Sequence, residues 1–183
     1  FESEEVTIQV RQEDETLKEH TFDVRRSIHG PVLAEKGGKA LAIRVAGFDQ
    51  SQVVQQYWDM IRATNFDDFM AAQSRLQMPM FNTIYADRDG RIMMFHGGQV
   101  PKRPKGDWDF WEGTVPGNTS ETLWTETHPF EGLPKVVDPP QGWVQNANDP
   151  PWTATFPQTI NADDFPAYMA PRGMSFRPQR SAQ

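Results

Sequence analysis

The residues predict an α+β chain with antiparallel sheets, and three observations carry that prediction. Alternating apolar and polar runs open the chain, two stretches at helical spacing follow, and a second alternating pair flanks Asp89-Gly90. "EEVTIQVR" (4–11) sets Val6, Ile8 and Val10 among polar neighbours, the period-two pattern of a half-buried strand. "TFDVRRSIHGPVL" (21–33) continues in the same style after the charged turn "QEDET", so the two read as a hairpin. "ALAIRVAG" (40–47) reads as a third strand, entered through Gly37-Gly38 and left at Gly47. From Gln50 the period changes: Val53, Val54, Tyr57, Trp58 and Ile61 predict an amphipathic helix over 50–63. Asn65 is a good N-cap with Asp68 three positions on, and Phe66, Phe69, Met70 and Leu76 supply the apolar face of a second helix reaching about residue 77. "NTIYADRDGRIMMFHGG" (82–98) is a hairpin by its Asp-Gly turn. Beyond residue 100 prolines exclude central strands and helix interiors, and the expectation is an ordered, aromatic-pinned excursion with short extended pieces at 121–126 and 143–147. The tail "SFRPQRSAQ" sets Arg177 and Arg180 at helical spacing and has no cap signal, so it reads as cut.

Composition bounds what such a chain can do. Its 183 residues suffice for one sizeable core, so residues 1–183 are read as a single piece. A net charge of −7 without a Lys/Arg cluster argues against nucleic acid or an anionic membrane as partner, and no apolar run approaches membrane-spanning length. The lack of cysteine removes disulfides, thiolate metal sites and cysteine nucleophiles. Four histidines without ligand spacing argue against zinc, and no cofactor is expected. No signal peptide heads the chain, and the first residue is Phe1 rather than an initiator methionine, so these residues are expected to begin inside a longer polypeptide.

Candidate site residues stand out by their setting. "GWVQNANDPPW" (142–152) places two neutral amides, Asn146 and Asn148, among aromatic and proline residues. Asparagine is at home in turns, and it is also a donor that a rigid loop can aim at developing negative charge. Phe81, just before the second hairpin, is either core or the wall of an apolar pocket, with Met78 and Met80 able to adapt that wall to a flexible ligand.

"VRRSIHGPVL", "NFDDFMAAQSRLQMP", "NTIYADRDGRIMMFHGG", "TVPG", "LWTETHPFEGLPKVVDPPQGW" and "QNANDPPW", in this order and over nearly the whole chain, resemble the β chain of the penicillin acylase family of N-terminal nucleophile hydrolases. The phrasing is most similar to the branch that includes acyl-homoserine lactone acylases. The resemblance implies a four-layer αββα fold and hydrolysis of the amide joining an acyl group to a polar amine. It implies a nucleophile serine at the β chain's own N-terminus, with its α-amine as base, upstream of Phe1 together with the backbone oxyanion donor. These residues are then the middle to later part of the catalytic β chain, inactive alone, with the remaining α- and β-chain segments and a small-molecule N-acyl substrate as partners. Within them the resemblance makes Asn148 the side-chain oxyanion donor and Asn146 a residue that keeps the loop in shape. Arg177, at the head of a helix, holds the nucleophile's surroundings, and Phe81 lies against the acyl group with Met80 beside it. His29 and His96 match positions that look structural. A structural calcium is known in part of the family, and Asp163 or Asp164 could furnish an oxygen ligand or simply mark a helix start. Members generally work outside the cytoplasm, which implies a periplasmic or secreted protein. The competing class is a non-catalytic fragment or binding module with an aromatic ligand groove.

Overall fold

Alternation in the opening stretch becomes strand β1 (Glu2–Arg11), antiparallel to β2 (Leu17–Ser27). Their register puts Val6 opposite Phe22 and Ile8 opposite His20 on one face, with Thr7 opposite Thr21 and Gln9 opposite Glu19 on the other. The polar face is tied by hydrogen bonds between the Thr7 and Thr21 hydroxyls (2.8 Å) and from Gln9 to Glu19 (3.1 Å). The charged turn closes through the Asp14 carboxylate, which accepts from the Thr16 N–H and hydroxyl.

The stretch read as one strand over 21–33 is two. The chain reverses at Ile28-His29, and β3 (Gly30–Lys36) runs back beside β2. Gly30 makes the reversal possible: its φ is +116°, and a Cβ there would lie 2.3 Å from the Ile43 carbonyl oxygen. Gly37 and Gly38, both at positive φ, turn the chain into β4 (Lys39–Ala42), shorter than the strand expected over 40–47. The four strands form one antiparallel sheet in chain order.

The structure is a computed structural model that describes residues 1–48 and 52–182. It comprises two compact units, Phe1–Val45 and Ala46–Gln183. The second unit holds every buried residue among those described.

Helix α1 (Val53–Arg62) occupies most of the span expected over 50–63, whose first two residues lie outside the described ones. Helix α2 (Phe66–Gln73) starts as expected, with the Asn65 side chain accepting from the Asp68 N–H. It ends earlier than expected, because Leu76 sits at φ +49° and leaves the helix. Strands β5 (Phe81–Ala86) and β6 (Ile92–Gly97) form the second hairpin, and a third strand, β7 (Lys135–Val137), pairs with β6 in the order β5-β6-β7. β7 replaces the extended pieces expected at 121–126 and 143–147: the first contains a 3₁₀ turn at Ser120–Thr122, and the second is not a strand. Central β6 is covered on both faces, which is why "IMMF" reads as a continuous apolar run. Met93 and Phe95 pack with Phe66, Leu133 and Met169, whereas Met94 meets Val136 and Ala154. Short helices α3 (Trp108–Glu112) and α4 (Phe176–Ser181) complete an α+β architecture with two antiparallel sheets.

Fully buried Gln56, on α1, accepts hydrogen bonds from the Gln77 N–H (2.6 Å) and the Met78 N–H (3.3 Å), and so fixes the approach to β5. Gln56→Leu strands both donors, and urea denaturation is expected to show a loss of about 1–3 kcal/mol.

Candidate functional site

The loop 145–154 is closed at its base by the Gln145 N–H donating to the Ala154 carbonyl (2.8 Å), and Ala154 is packed under Met94 of β6. Inside the loop the organising group is Asp149, which is only 4% exposed. Its carboxylate accepts from the Ala147 N–H (2.6 Å), the Gln145 amide (2.8 Å) and the Thr153 hydroxyl (2.5 Å). Three donors on one carboxylate satisfy a charge that burial would otherwise penalise. Pro150 and Pro151 follow, both buried; lacking N–H groups, they enter the interior without a donor to satisfy.

Asn146 bridges the loop from its other side. Its Oδ1 accepts from the Asn148 N–H (3.0 Å) and from Asn82 Nδ2 (2.8 Å), and its Nδ2 donates to the Asp149 carbonyl (3.1 Å). The outcome is Asn148 at φ +64°, a left-handed conformation that asparagine tolerates better than most residues. From 29 residues along the chain, Arg177 reaches in and donates from Nη2 to Asn148 Oδ1 (2.7 Å). The oxygen end of the carboxamide is therefore held by a cation, while among the described residues no acceptor takes up the Nδ2 hydrogens. A guanidinium on the oxygen polarises the amide and makes its N–H a stronger donor.

The structure thus brings Asn148 and Arg177 together, as two exposed side chains joined to each other. Arg177 is the second residue of α4, at the helix head where it was expected. Phe81 opens β5 and Met80 precedes it, 55% and 63% exposed, whereas Met78 is buried. Alternation along β5 sends Phe81 to the face of Thr83 and Tyr85, and Asn82 to the opposite face, against the Asn146 loop. Phe81 and the Asn146–Asn148 loop therefore lie toward opposite faces of edge strand β5. The concavities beside Phe1, Arg25 and Glu35, and among Met60, Asn65, Phe69 and Tyr85, do not include them.

Three residues that sequence reasoning did not place at the site belong to it: Asp149, Asn82 and His96. His96 stands opposite Asn82 in the hairpin, with Nδ1 2.8 Å from Asn82 Oδ1 and Nε2 3.4 Å from the Met169 carbonyl oxygen. Burial pushes its pKa below the ordinary imidazole value. The acidic candidates for calcium do not gather: Asp163 pairs with Arg172 (3.0 Å) and starts a 3₁₀ turn capped by Asn161, and the described residues contain no cluster of three or more His, Asp or Glu able to hold an ion.

Residues 1–183 match the penicillin amidase family along their whole length. The chain is 29% identical over 168 residues to a penicillin acylase 2 proenzyme of a Pseudomonas species, covering 84% of this chain and 20% of that protein. It is 30% identical over 147 residues to a penicillin G acylase of Escherichia coli, covering 77% of this chain and 17% of that one. An acyl-homoserine lactone acylase of Pseudomonas fluorescens is 26% identical over 144 residues, 72% of this chain and 16% of its own. Among solved structures, a thermostable penicillin G acylase from Alcaligenes faecalis superposes with a TM-score of 0.70 at 22% identity, over 98% of this chain and 31% of that one. The chain spans a fifth or less of the length of these curated relatives.

Asp149→Ala leaves the Ala147 N–H, the Gln145 amide and the Thr153 hydroxyl without their acceptor. Thermal or urea unfolding is expected to report a loss of about 3 kcal/mol.

Proposed function

Because this chain belongs to the penicillin amidase family, we propose that it is the middle to later part of the catalytic β chain of an acylase that hydrolyses N-acyl amides. In this reading it supplies Asn148 and Arg177 to a serine nucleophile carried outside these residues. The hydroxyl passes its proton to its own α-amine and attacks the amide carbonyl, whose oxygen becomes anionic; the C–N bond breaks as that proton goes to the departing amine, and water then hydrolyses the acyl-serine ester. Asn148 Nδ2 donates to that oxygen as its charge develops, and Arg177 holds Oδ1 so that the donor end points outward. The observation that carries the reading is this pairing at a left-handed asparagine: the oxygen end is occupied and the hydrogen end is left for a ligand.

Relatives named for penicillin and for acyl-homoserine lactone match at similar identity, 29% and 26%. The bond they share, an acyl group amide-linked to a polar amine, is the substrate class proposed here, with the lactone-acylase branch favoured by motif phrasing. Phe81 and Met80 would form part of the acyl wall, the rest coming from segments beyond this chain. Support for such segments comes from the first hairpin, one face of which carries Ile8, Val10 and Phe22, all exposed. An apolar strand face open to solvent calls for cover. As the family resemblance implies, we place the enzyme in the periplasm or outside the cell.

The test is made in the whole precursor. Asn148→Ala would combine loss of the donor with backbone strain at φ +64°. Asn148→Gly accepts that conformation and removes only the amide, so it isolates the donor. Its expected effect is a fall in kcat of about 10²–10³ with normal maturation; unchanged turnover of an N-acyl nitroanilide would remove Asn148 from the oxyanion site. Phe81→Ala is expected to shift chain-length preference toward longer or bulkier acyl groups, and an unaltered profile across an acyl series would exclude Phe81 from the wall.

A further inference from the structure

An unbroken line of hydrogen bonds joins the interior sheet to the amide loop. It runs from His96 Nδ1 to Asn82 Oδ1 (2.8 Å), from Asn82 Nδ2 to Asn146 Oδ1 (2.8 Å), and from the Asn148 N–H to the same Asn146 oxygen (3.0 Å). Backbone groups at the loop end decide its polarity. The Asn148 N–H can only donate and the Asp149 carbonyl can only accept, so Asn146 must turn Oδ1 to the first and Nδ2 to the second. Asn82 must then meet Asn146 with its nitrogen and His96 with its oxygen. His96 must then carry a proton on Nδ1, which in the neutral ring leaves Nε2 an acceptor beside the Met169 carbonyl oxygen at 3.4 Å, so the Nδ1 contact is the one that orders the line.

Each member has one workable orientation, and the line starts in a rigid place. His96 lies on central β6 between fully buried Phe95 and buried Gly97, and its own N–H donates to the Pro134 carbonyl (2.9 Å). Asp149 holds the loop from within, but Asn82 is the group that ties Asn146, two residues before Asn148, to the sheet.

We propose that Asn82 and His96 are positioning residues that aim the Asn148 carboxamide without touching substrate. The inference rests on the reading of Asn148 as an oxyanion donor. Asn82→Ala releases Asn146 from the sheet, and an oxyanion donor displaced by about 1 Å loses much of its effect, so kcat is expected to fall about tenfold or more while KM changes little. Asn82→Asp nearly preserves shape but presents an oxygen to Asn146 Oδ1, and is expected to lose as much. His96→Leu removes the first donor and should behave like Asn82→Ala. His96→Asn can place its Nδ2 hydrogen where Nδ1–H stood, and should restore most of the turnover.

The deciding measurement is a double-mutant cycle in the whole precursor, read as release of nitroaniline from an N-acyl nitroanilide. If Asn82 acts through Asn148, the Asn82→Asp loss present in the parent disappears in the Asn148→Gly background. A loss of equal size in both backgrounds, or His96→Asn performing no better than His96→Leu, overturns the proposal. Normal turnover of Asn82→Asp beside a crippled Asn148→Gly also overturns it and leaves the oxyanion reading standing. Full turnover of Asn148→Gly sinks both.

Discussion

A buried carboxylate must be satisfied before anything around it can settle, and the loop 145–154 is arranged around that demand. Asp149 draws the Ala147 N–H, the Gln145 amide and the Thr153 hydroxyl onto itself. Those three donors come from before and after it in the chain, so satisfying the charge folds the loop upon its own base. The two prolines that follow are buried without cost in unpaired donors. Conformational entropy opposes order in any ten-residue loop; here the opposing term is a charge whose exposure to an unmatched interior would be worse. The left-handed Asn148 is a downstream consequence of that closure.

The loop in turn needs something that does not move, and β6 supplies it. With Met94 packed against Val136 and Ala154 on one face, and Met93 and Phe95 against the helix α2 side on the other, β6 is the most enclosed strand among the described residues. Ala154 anchors the loop to it by packing, and the Asn82–His96 pair anchors the loop by hydrogen bonds from the neighbouring strand. Packing limits translation of the base, whereas directional bonds limit rotation of Asn146.

Local signals were legible in the residues and distant ones were not. The Asn65 cap, the Gly37-Gly38 turn and the Asp-Gly hairpin rest on interactions within a few positions, so spacing alone reveals them. The break between β2 and β3 was hidden because Ile28 prolongs the alternation, and only the close approach of Gly30 to Ile43 marks it. β7 was hidden by the prolines around "KVV", which an edge strand tolerates because it pairs on one side only. The Asn82–His96 pairing illustrates how little separates seeing from missing. A two-residue turn at Asp89-Gly90 would set Asn82 opposite Gly97. The Asp87 carboxylate instead accepts from the Asp89 and Arg91 N–H groups, the loop spans 87–91, and the register moves by one to put Asn82 opposite His96. Asp149 could have been suspected from a lone charge among apolar and proline residues, but the Arg177 contact, 29 residues from Asn148, leaves no local trace.

Two independent demands meet at position 148, and together they select its residue type. The backbone there is left-handed, which glycine adopts freely and asparagine and aspartate adopt at small cost. In the proposed oxyanion role the side chain must also donate. Glycine has no side chain to donate, and ionised aspartate can only accept; glutamine donates but lacks the short amide that eases a positive φ. Of these four, asparagine meets both. The guanidinium of Arg177 then resolves the remaining ambiguity, because a carboxamide can present either end and a cation will hold only the oxygen. Residue identity, backbone conformation and a distant arginine thus converge on one exposed pair of N–H bonds, an arrangement that hydration by bulk water would not require.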